Sequence, residues 1–149
     1  PGIRFLEKWA VQIGGGMNHR MGLYDTILIK DNHVDYSEGI YNAVQNAIKY
    51  SKTVKKIPIL VEVRNLNELK KIAQIRKIDR IILDNFSIKQ IKKAIELVNK
   101  KIPLEISGNI DEQNIKNYAK NNIDYISIGA LTHSAKNIDM SLNAEVIQK

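Results

Sequence analysis

Four apolar runs define the architecture that this 149-residue chain can adopt: PILVEV at residues 58–63, RIILDN at 80–85, PLEISG at 103–108 and YISIGAL at 125–131. They are rich in Ile, Val and Leu and nearly continuous, a pattern typical of parallel strands buried on both faces. Successive runs begin about 21 to 23 residues apart. An earlier run, Thr26 to Ile29, predicts a fifth strand upstream.

Helical patterns fill the intervals between these runs. After Ser87, which suits an N-cap, apolar residues recur at helical spacing from Ile88 to Val98. Comparable patterns occupy residues 40–48, 66–73 and 115–119, and a first helix is predicted over 3–13, ended by Gly14–Gly16. Strands that alternate with helices in this way indicate a parallel sheet with right-handed crossovers.

The short repeat favours a barrel over a doubly wound sheet. We predict an α/β protein with parallel strands near residues 26–30, 58–63, 80–84, 103–107 and 124–129. A complete eight-fold barrel needs about 250 residues and at least about 200. The chain, which starts at Pro1 rather than Met, is therefore expected to be one domain over residues 1–149 that forms an incomplete TIM-like (β/α) barrel, part of a longer chain.

Composition excludes several classes of protein. The absence of cysteine excludes a disulfide scaffold and a thiolate zinc site. No apolar run approaches the roughly 18 residues that span a bilayer, and no signal peptide is recognisable, so we expect a cytoplasmic protein with no membrane partner. The net charge is +7, but lysine pairs such as 70–71, 92–93 and 100–101 are scattered over predicted helix surfaces. Without an arginine-rich run or interleaved aromatics, we predict no nucleic-acid partner.

Polar residues lie at the ends of the predicted strands, where barrel enzymes place their active sites. They are Lys30–Asp31–Asn32, Glu62, Asp84–Asn85, Glu105 with Ser107–Gly108, and Gly129–Ala130 followed by Thr132, His133 and Ser134. Glu62 and Asp84 are hard oxygen ligands on neighbouring strands, which suits Mg²⁺. Ser107–Gly108 and Gly129 follow the late strands, whose loops commonly bind phosphate through backbone N–H groups.

The segment Gly14–His33, GGGMNHRMGLYDTILIKDNH, adds cations to this set. His19, Arg20 and Lys30 are donors for carboxylates, and arginine is the better bidentate partner. Together the residues indicate an enzyme whose substrates carry phosphates and carboxylates.

Each candidate also has a purely structural interpretation. Glu62 can be a barrel-interior carboxylate paired with Lys30, Asp84 can cap the next helix, Ser107–Gly108 can be a simple turn, and His133 can be a loop histidine. Taken together, the structural interpretations are less convincing than each is alone, because polar residues recur at one strand end after another.

Several blocks resemble the quinolinate phosphoribosyltransferase family, also called nicotinate-nucleotide pyrophosphorylase (carboxylating). The first is PGIRFLEKWAVQIGGGMNHRMGLYDTILIKDNH at residues 1–33, and VEV (61–63), ILDNF (82–86), EISGNI (105–110) and IGALTHSAKNIDMSL (128–142) follow in the family's order. The resemblance covers essentially the whole chain. It implies the C-terminal barrel portion of a pentosyltransferase of NAD synthesis, which joins quinolinate to phosphoribosyl pyrophosphate and forms nicotinate mononucleotide, CO₂ and pyrophosphate.

The resemblance also implies a role for each candidate residue. Those that contact the quinolinate carboxylates are His19, Arg20 and Lys30. Those beside the ribose and Mg²⁺, with the metal bound directly or through water, are Glu62 and Asp84. Those that cradle the 5′-phosphate are Ser107, Gly108, Gly129 and His133. The catalytic group is then Glu62, Asp84 and Lys30.

Parts of the family's pattern are missing from this chain. By resemblance, an N-terminal α/β domain, the first barrel strand and a Thr-Arg-Lys-Thr motif precede the block that starts at Pro1. The family also forms homodimers or hexamers, in which one subunit contributes an arginine to its neighbour's site. We therefore expect the isolated 149 residues to have little or no activity, and turnover by the purified segment would contradict this.

Three rival interpretations remain. A paralogue associated with molybdenum transport would share the fold, but the NHR and LIKDNH blocks favour quinolinate. Nicotinate phosphoribosyltransferase needs no pocket for a second carboxylate, so His19, Arg20 and Lys30 argue against it. The third is a degenerate, inactive barrel, which Glu62 and Asp84 make unlikely for a whole protein but which remains open for this chain alone.

Overall fold

The computed structural model describes residues 2–54 and 57–145, so both ends of the domain predicted over residues 1–149 lie outside it. In chain order the elements are α1 (Arg4–Ile13), β1 (Ile27–Ile29), α2 (Asp31–Tyr36), α3 (Ile40–Thr53), β2 (Ile59–Val63), α4 (Leu66–Ile72), β3 (Arg80–Asp84), α5 (Ile88–Val98), β4 (Leu104–Ser107), α6 (Ile115–Ala119), β5 (Tyr125–Ile126) and α7 (Ala130–His133). In the described residues, no helix is long and apolar enough to cross a membrane.

The five strands form one parallel sheet in the order β1-β2-β3-β4-β5. Each strand pairs with the next one along the chain, as in a barrel and unlike the reversed order of a doubly wound sheet. Within residues 2–54 and 57–145, β1 and β5 are the two edges of the sheet, which is therefore not closed. The prediction of an α/β protein with an incomplete barrel is therefore confirmed.

The ends of the sheet differ in detail from the prediction. The last strand was predicted over residues 124–129 but contains only Tyr125–Ile126, and Gly129 is already the N-cap of α7. Only two pairs join β5 to β4, Glu105 with Tyr125 and Ile106 with Ile126, so little extended backbone is fixed there. At the other edge, β1 stops at Ile29, because Lys30 is the N-cap of α2.

One face of the sheet is apolar and packs against the helices. Its strand residues are Ile29, Ile59, Val61, Val63, Ile81, Leu83, Leu104 and Ile106, all buried and all in one cluster with helix residues such as Val44, Leu69, Ile72, Ile91 and Ala94. The helices present these side chains at helical spacing. Local signals fix where helices begin: the Asn65 side chain accepts from two backbone N–H groups of α4, and Ser87 forms a capping box with Gln90 on α5.

The opposite face of the sheet carries the polar side chains. In a parallel sheet, residues in register share a face, and alternate residues along a strand return to it. Glu62 is in register with Ile82, Ile82 with Glu105, and Glu105 with Tyr125. Leu60 and Ile82 are buried on this face, outside the helix-facing cluster. The strands are therefore not apolar on both faces, as the continuous runs suggested; this second face would be the barrel interior.

The other end of the sheet is tied by two aspartates that precede strands. Asp79 Oδ2 accepts a hydrogen bond from the backbone N–H of Ile59 at 2.8 Å, and Asp124 Oδ2 accepts from that of Leu104 at 2.8 Å. Both carboxylates satisfy an amide where a strand begins. These contacts fix the start of β2 and of β4, so the polar residues at the carboxyl ends are held in register.

Candidate active site at the carboxyl edge of the sheet

Lys30 and Glu62 form an ion pair across the first two strands. Lys30 follows Ile29, which is in register with Val61, so Lys30 lies level with Glu62. The Lys30 Nζ is 3.5 Å from Glu62 Oε2. The lysine side chain is half-exposed, whereas that of Glu62 is 15% exposed. The ammonium group is thus held at the mouth of the sheet by a carboxylate beneath it.

Asp84 lies near this pair at the carboxyl end of β3. Its register places it on the same face as Glu62, one alternation further along the neighbouring strand. Burial is the main factor that raises the pKa of Glu62, the Lys30 ammonium opposes this, and the negative charge of Asp84 raises it further. A second positive charge nearby would therefore stabilise the ionised form of Glu62.

The donor set fits Mg²⁺. The negative charge of Asp84 raises the pKa of the Glu62 carboxyl, an effect that a cation between or beside the two carboxylates would relieve. Across the described ranges, no group of three or more His, Cys, Asp or Glu side chains is arranged to hold a metal. Mg²⁺ usually takes only one or two protein carboxylates and completes its shell with water and substrate phosphates, so this pair is sufficient.

A cavity of about 590 Å³ adjoins these residues at the ends of β4 and β5. It is lined by Ser107, Gly108, Asn109, Ile110, Asp111, Ser127, Gly129, Ala130, His133 and Ser134. The structure thus brings the four predicted phosphate-binding residues to one cavity. Ser107 is in register with Asp84, which connects this cavity to the carboxylates. His133 lies on α7, where its Nδ1 is 2.7 Å from the Ser134 hydroxyl.

Gly108, in the wall of this cavity, leaves no space for a side chain. Its φ is +99°, a conformation that residues with a Cβ rarely adopt, and an added Cβ would overlap the side-chain amide of Asn85. That amide is itself fixed: Asn85 Nδ2 donates to Asp84 Oδ1 at 3.0 Å, and Asn109 Nδ2 donates to Asn85 Oδ1 at 3.0 Å. Asp84 and the loop that follows β4 are therefore connected through one asparagine.

The two predicted binding residues of the NHR block, His19 and Arg20, are placed differently. His19 is half-buried over the inner face, with its Nε2 3.7 Å from Glu105 Oε1. The Arg20 guanidinium donates to the backbone carbonyl of Thr26 at 3.4 Å. Thr26 precedes β1, whereas Lys30 follows it, so this contact of Arg20 lies at the opposite end of the strand from Lys30. The structure thus brings Lys30, Glu62 and Asp84 together and does not bring the Arg20 contact to them.

The structure joins Glu105 and Arg80 on the inner face, and the sequence analysis assigns a specific role to neither of them. Arg80 Nη1 donates to Glu105 Oε2 at 2.7 Å, and the Ser127 hydroxyl donates to Glu105 Oε1. The signal was present in the sequence: Glu105 interrupts an otherwise apolar strand between Leu104 and Ile106. Read as alternation rather than as a strand end, it would have indicated a polar inner face.

The site as a whole combines a cationic mouth, two carboxylates and a glycine-containing cavity at the carboxyl edge of a parallel sheet. This arrangement defines the class: an α/β-barrel enzyme domain, because such domains place their active sites at this edge of the sheet.

Comparison with known proteins identifies the family. Residues 1–143 match the model of the family described as quinolinate phosphoribosyl transferase, C-terminal domain, and the chain belongs to this family. The chain is 39% identical to the chloroplastic nicotinate-nucleotide pyrophosphorylase [carboxylating] of Arabidopsis thaliana, over 97% of the chain and 46% of that protein. It is 46% identical to the probable enzyme of the same name from Methanocaldococcus jannaschii, over 96% of the chain and 52% of that protein.

A solved structure shows the same fold. The crystal structure of NadC from Streptococcus pyogenes matches with a TM-score of 0.88 and 40% sequence identity, over 97% of this chain and 50% of that one. The family resemblance predicted from the sequence blocks is thus confirmed. The chain spans about half the length of the relatives it matches.

Proposed function

We propose that the whole protein transfers the phosphoribosyl group of phosphoribosyl pyrophosphate to quinolinate, with decarboxylation, in the synthesis of NAD. The observation that supports this most is the Lys30–Glu62 ion pair beside Asp84, next to the cavity lined by Ser107 and Gly108. The names of the relatives point to the same reaction. One region suits a dicarboxylate and the neighbouring region a sugar phosphate.

Binding would hold the two substrates against each other. His19 and Lys30 would attract the quinolinate carboxylates from the inner face and the mouth of the sheet. The backbone around Gly108, which can approach closely because no Cβ intervenes, would contact the 5′-phosphate in the adjoining cavity. Fixing both partners in place converts a bimolecular encounter into an intramolecular one.

The chemistry would then follow from charge. The bond from the ribose C1 to pyrophosphate breaks, and positive charge develops on the sugar. Glu62 and Asp84, held on one face of adjacent strands, would stabilise that charge. The quinolinate nitrogen forms the new bond to C1, and the 2-carboxylate leaves as CO₂. The electron pair left on the ring is stabilised by the adjacent pyridinium nitrogen and takes up a proton.

Mg²⁺, assembly and location are also proposals. Glu62 and Asp84 would hold Mg²⁺, which when bound neutralises negative charge on the pyrophosphate group. Helix α1 exposes Phe5, Leu6 and Trp9 by half or more of their surface, which supports burial of this face in a homodimer or hexamer. We propose a cytoplasmic location, although the Arabidopsis relative is named as chloroplastic.

Calorimetric titration of the whole protein tests the substrate assignment. We expect quinolinate to bind much more tightly than nicotinate, which lacks the second carboxylate. Lys30→Ala and Arg20→Ala should each weaken quinolinate binding by about 10- to 100-fold, since a hydrogen bond to a charged group contributes about 1.5–3 kcal/mol. The matched control is Lys93→Ala, which removes an exposed lysine from α5 and should leave the affinity unchanged.

Two other results would point elsewhere. Equal binding of quinolinate and nicotinate would contradict a two-carboxylate pocket and favour the molybdenum-associated paralogue or another barrel enzyme. Normal affinity in Arg20→Ala with loss in Lys30→Ala would contradict the role of Arg20 and keep the pocket around Lys30.

A further inference from the structure

Glu105 is the one charged side chain buried within the described part of the chain, with 1% of its surface exposed. It lies in the middle of the inner face on β4. Both carboxylate oxygens have partners: Oε2 accepts from Arg80 at 2.7 Å, and Oε1 accepts from the Ser127 hydroxyl. His19 Nε2 lies 3.7 Å from the same Oε1.

The partners of Glu105 hold it in one orientation. A buried carboxylate is stable only when it is paired and hydrogen-bonded, and Arg80 supplies the paired charge. The Arg80 guanidinium lies 3.6 Å from the centre of the Tyr125 ring, which limits its movement in turn. Arg80 and Ser127 therefore suffice to stabilise Glu105. The approach of His19 is an additional feature that this structural role does not require.

We infer that Glu105 is a positioning residue, which holds the imidazole of His19 over the inner face so that its other side meets the carboxylate of the bound substrate. The inference rests on the proposed function only for the identity of that substrate. The Arg80–Glu105 ion pair then lies beneath His19, on the side away from the bound substrate. Glu105 itself would repel the substrate, so it acts through His19 and not by contact.

The charges around His19 explain why Glu105 is needed. Burial lowers the pKa of His19 the most, and the cations Arg80 from β3, Arg20 from the same loop and Lys8 from α1 lower it further. Glu105 from β4 is the group that raises it. The carboxylate thus opposes the forces that would leave His19 neutral, and a dianionic substrate arriving on the open side would favour the imidazolium.

The sign of the pH dependence follows. Binding that raises the pKa of His19 is strengthened by protonation, so the added affinity is present at low pH and is lost as pH rises through the pKa in the complex. Removing the Glu105 charge lowers that pKa. The loss of affinity should then begin at a lower pH. The variant should differ most from the wild type between the pKa of His19 in its own complex and the pKa in the wild-type complex, and the difference should vanish at higher pH, where His19 is neutral in both.

The test is the pH profile of the whole protein with Glu105→Gln. We expect KM for quinolinate to rise about tenfold in the pH window where His19 is protonated in the wild-type complex and neutral in that of the variant, within the range where histidine titrates, and to rise much less below and above that window. KM for phosphoribosyl pyrophosphate and kcat should change by less than about threefold, because the other subsite is untouched. Asp124→Asn is the control. It alters a carboxylate at the start of β4 and β5, away from His19, and it should leave the pH profile unchanged.

A second measurement separates this inference from the proposed function. NMR titration of His19, assigned by difference with His19→Asn, should show a lower pKa in Glu105→Gln than in the wild type, whether or not quinolinate is the substrate. An unchanged pKa, or equal effects of Glu105→Gln and Asp124→Asn on the pH profile, would overturn the inference. If Glu105→Gln does not fold, Glu105→Asp retracts the carboxylate by one methylene and should still raise KM for quinolinate; an unchanged KM would also overturn it.

Discussion

Glu62→Gln is expected to lower kcat of the whole protein by about 10²–10³-fold, the usual cost of removing one preorganised group that stabilises transition-state charge. The change keeps the shape of the side chain and removes its charge. It also removes the partner of Lys30, whose ammonium lies 3.5 Å away. Because the ground-state substrate carries no positive charge on its ribose, we expect KM for phosphoribosyl pyrophosphate to change much less than kcat.

The control for this experiment is Glu96→Gln, the same chemical change at an exposed position on α5. Steady-state kinetics of both variants, with thermal unfolding to show that each is folded, separate loss of function from loss of structure. A kcat for Glu62→Gln within about threefold of the wild type would remove Glu62 from the chemical step, since even one weak catalytic group contributes more.

Gly108→Ala is the second change with a large expected effect. It forces an L side chain into a φ of +99° and drives its Cβ into the Asn85 amide. The backbone strain alone costs about 1–3 kcal/mol. Relief of the overlap would displace Asn85 and, through it, Asp84 and Asn109. We expect KM for phosphoribosyl pyrophosphate to rise at least tenfold, or 1.4 kcal/mol.

Gly39→Ala is the matched control for Gly108→Ala. Gly39 also has a positive φ, +123°, but an added Cβ there has nothing within 4 Å. Gly39 is the N-cap of α3. Urea unfolding and kinetics of both variants should show a similar strain cost, with loss of substrate affinity only for Gly108→Ala. A normal KM in both would mean that the Gly108 turn does not support the phosphate site.

The sequence was sufficient for the architecture because the signals were local and repeated. Each interval between the four later apolar runs holds one helix, and capping residues such as Asn65 and Ser87 mark where two of these helices begin. The interval between β1 and β2 holds two helices, α2 and α3, of which the apolar spacing indicated only α3. The strand at 80–84 was predicted at its observed bounds. The last strand was predicted too long because its apolar residues continue past the two that pair with β4. Pairing depends on the neighbour, which hydrophobicity does not report.

The candidate site was predictable in part for the same reason. Residues at strand ends, such as Lys30, Glu62 and Asp84, can be assigned to one edge once a parallel sheet is assumed. Contacts that cross strands cannot be assigned in this way: the meeting of Arg80 with Glu105 depends on register, and their separation in sequence is 25 residues. The approach of His19 depends on the path of the Gly14–Thr26 loop, which no periodicity describes.

Because one face of the sheet is apolar and the other carries the candidate site, the number of residues in each strand determines which side chains reach the site. Along β2 the even-numbered residues Leu60 and Glu62 face inward, and the odd-numbered Ile59, Val61 and Val63 face the helices. Deleting one residue within this strand would exchange the two sets beyond the deletion. Glu62 would then enter the apolar layer between the sheet and the helices, and an apolar residue such as Val63 would face the candidate active site. Insertions in the loops between elements carry no such penalty, so natural length variation in this domain should be confined to them.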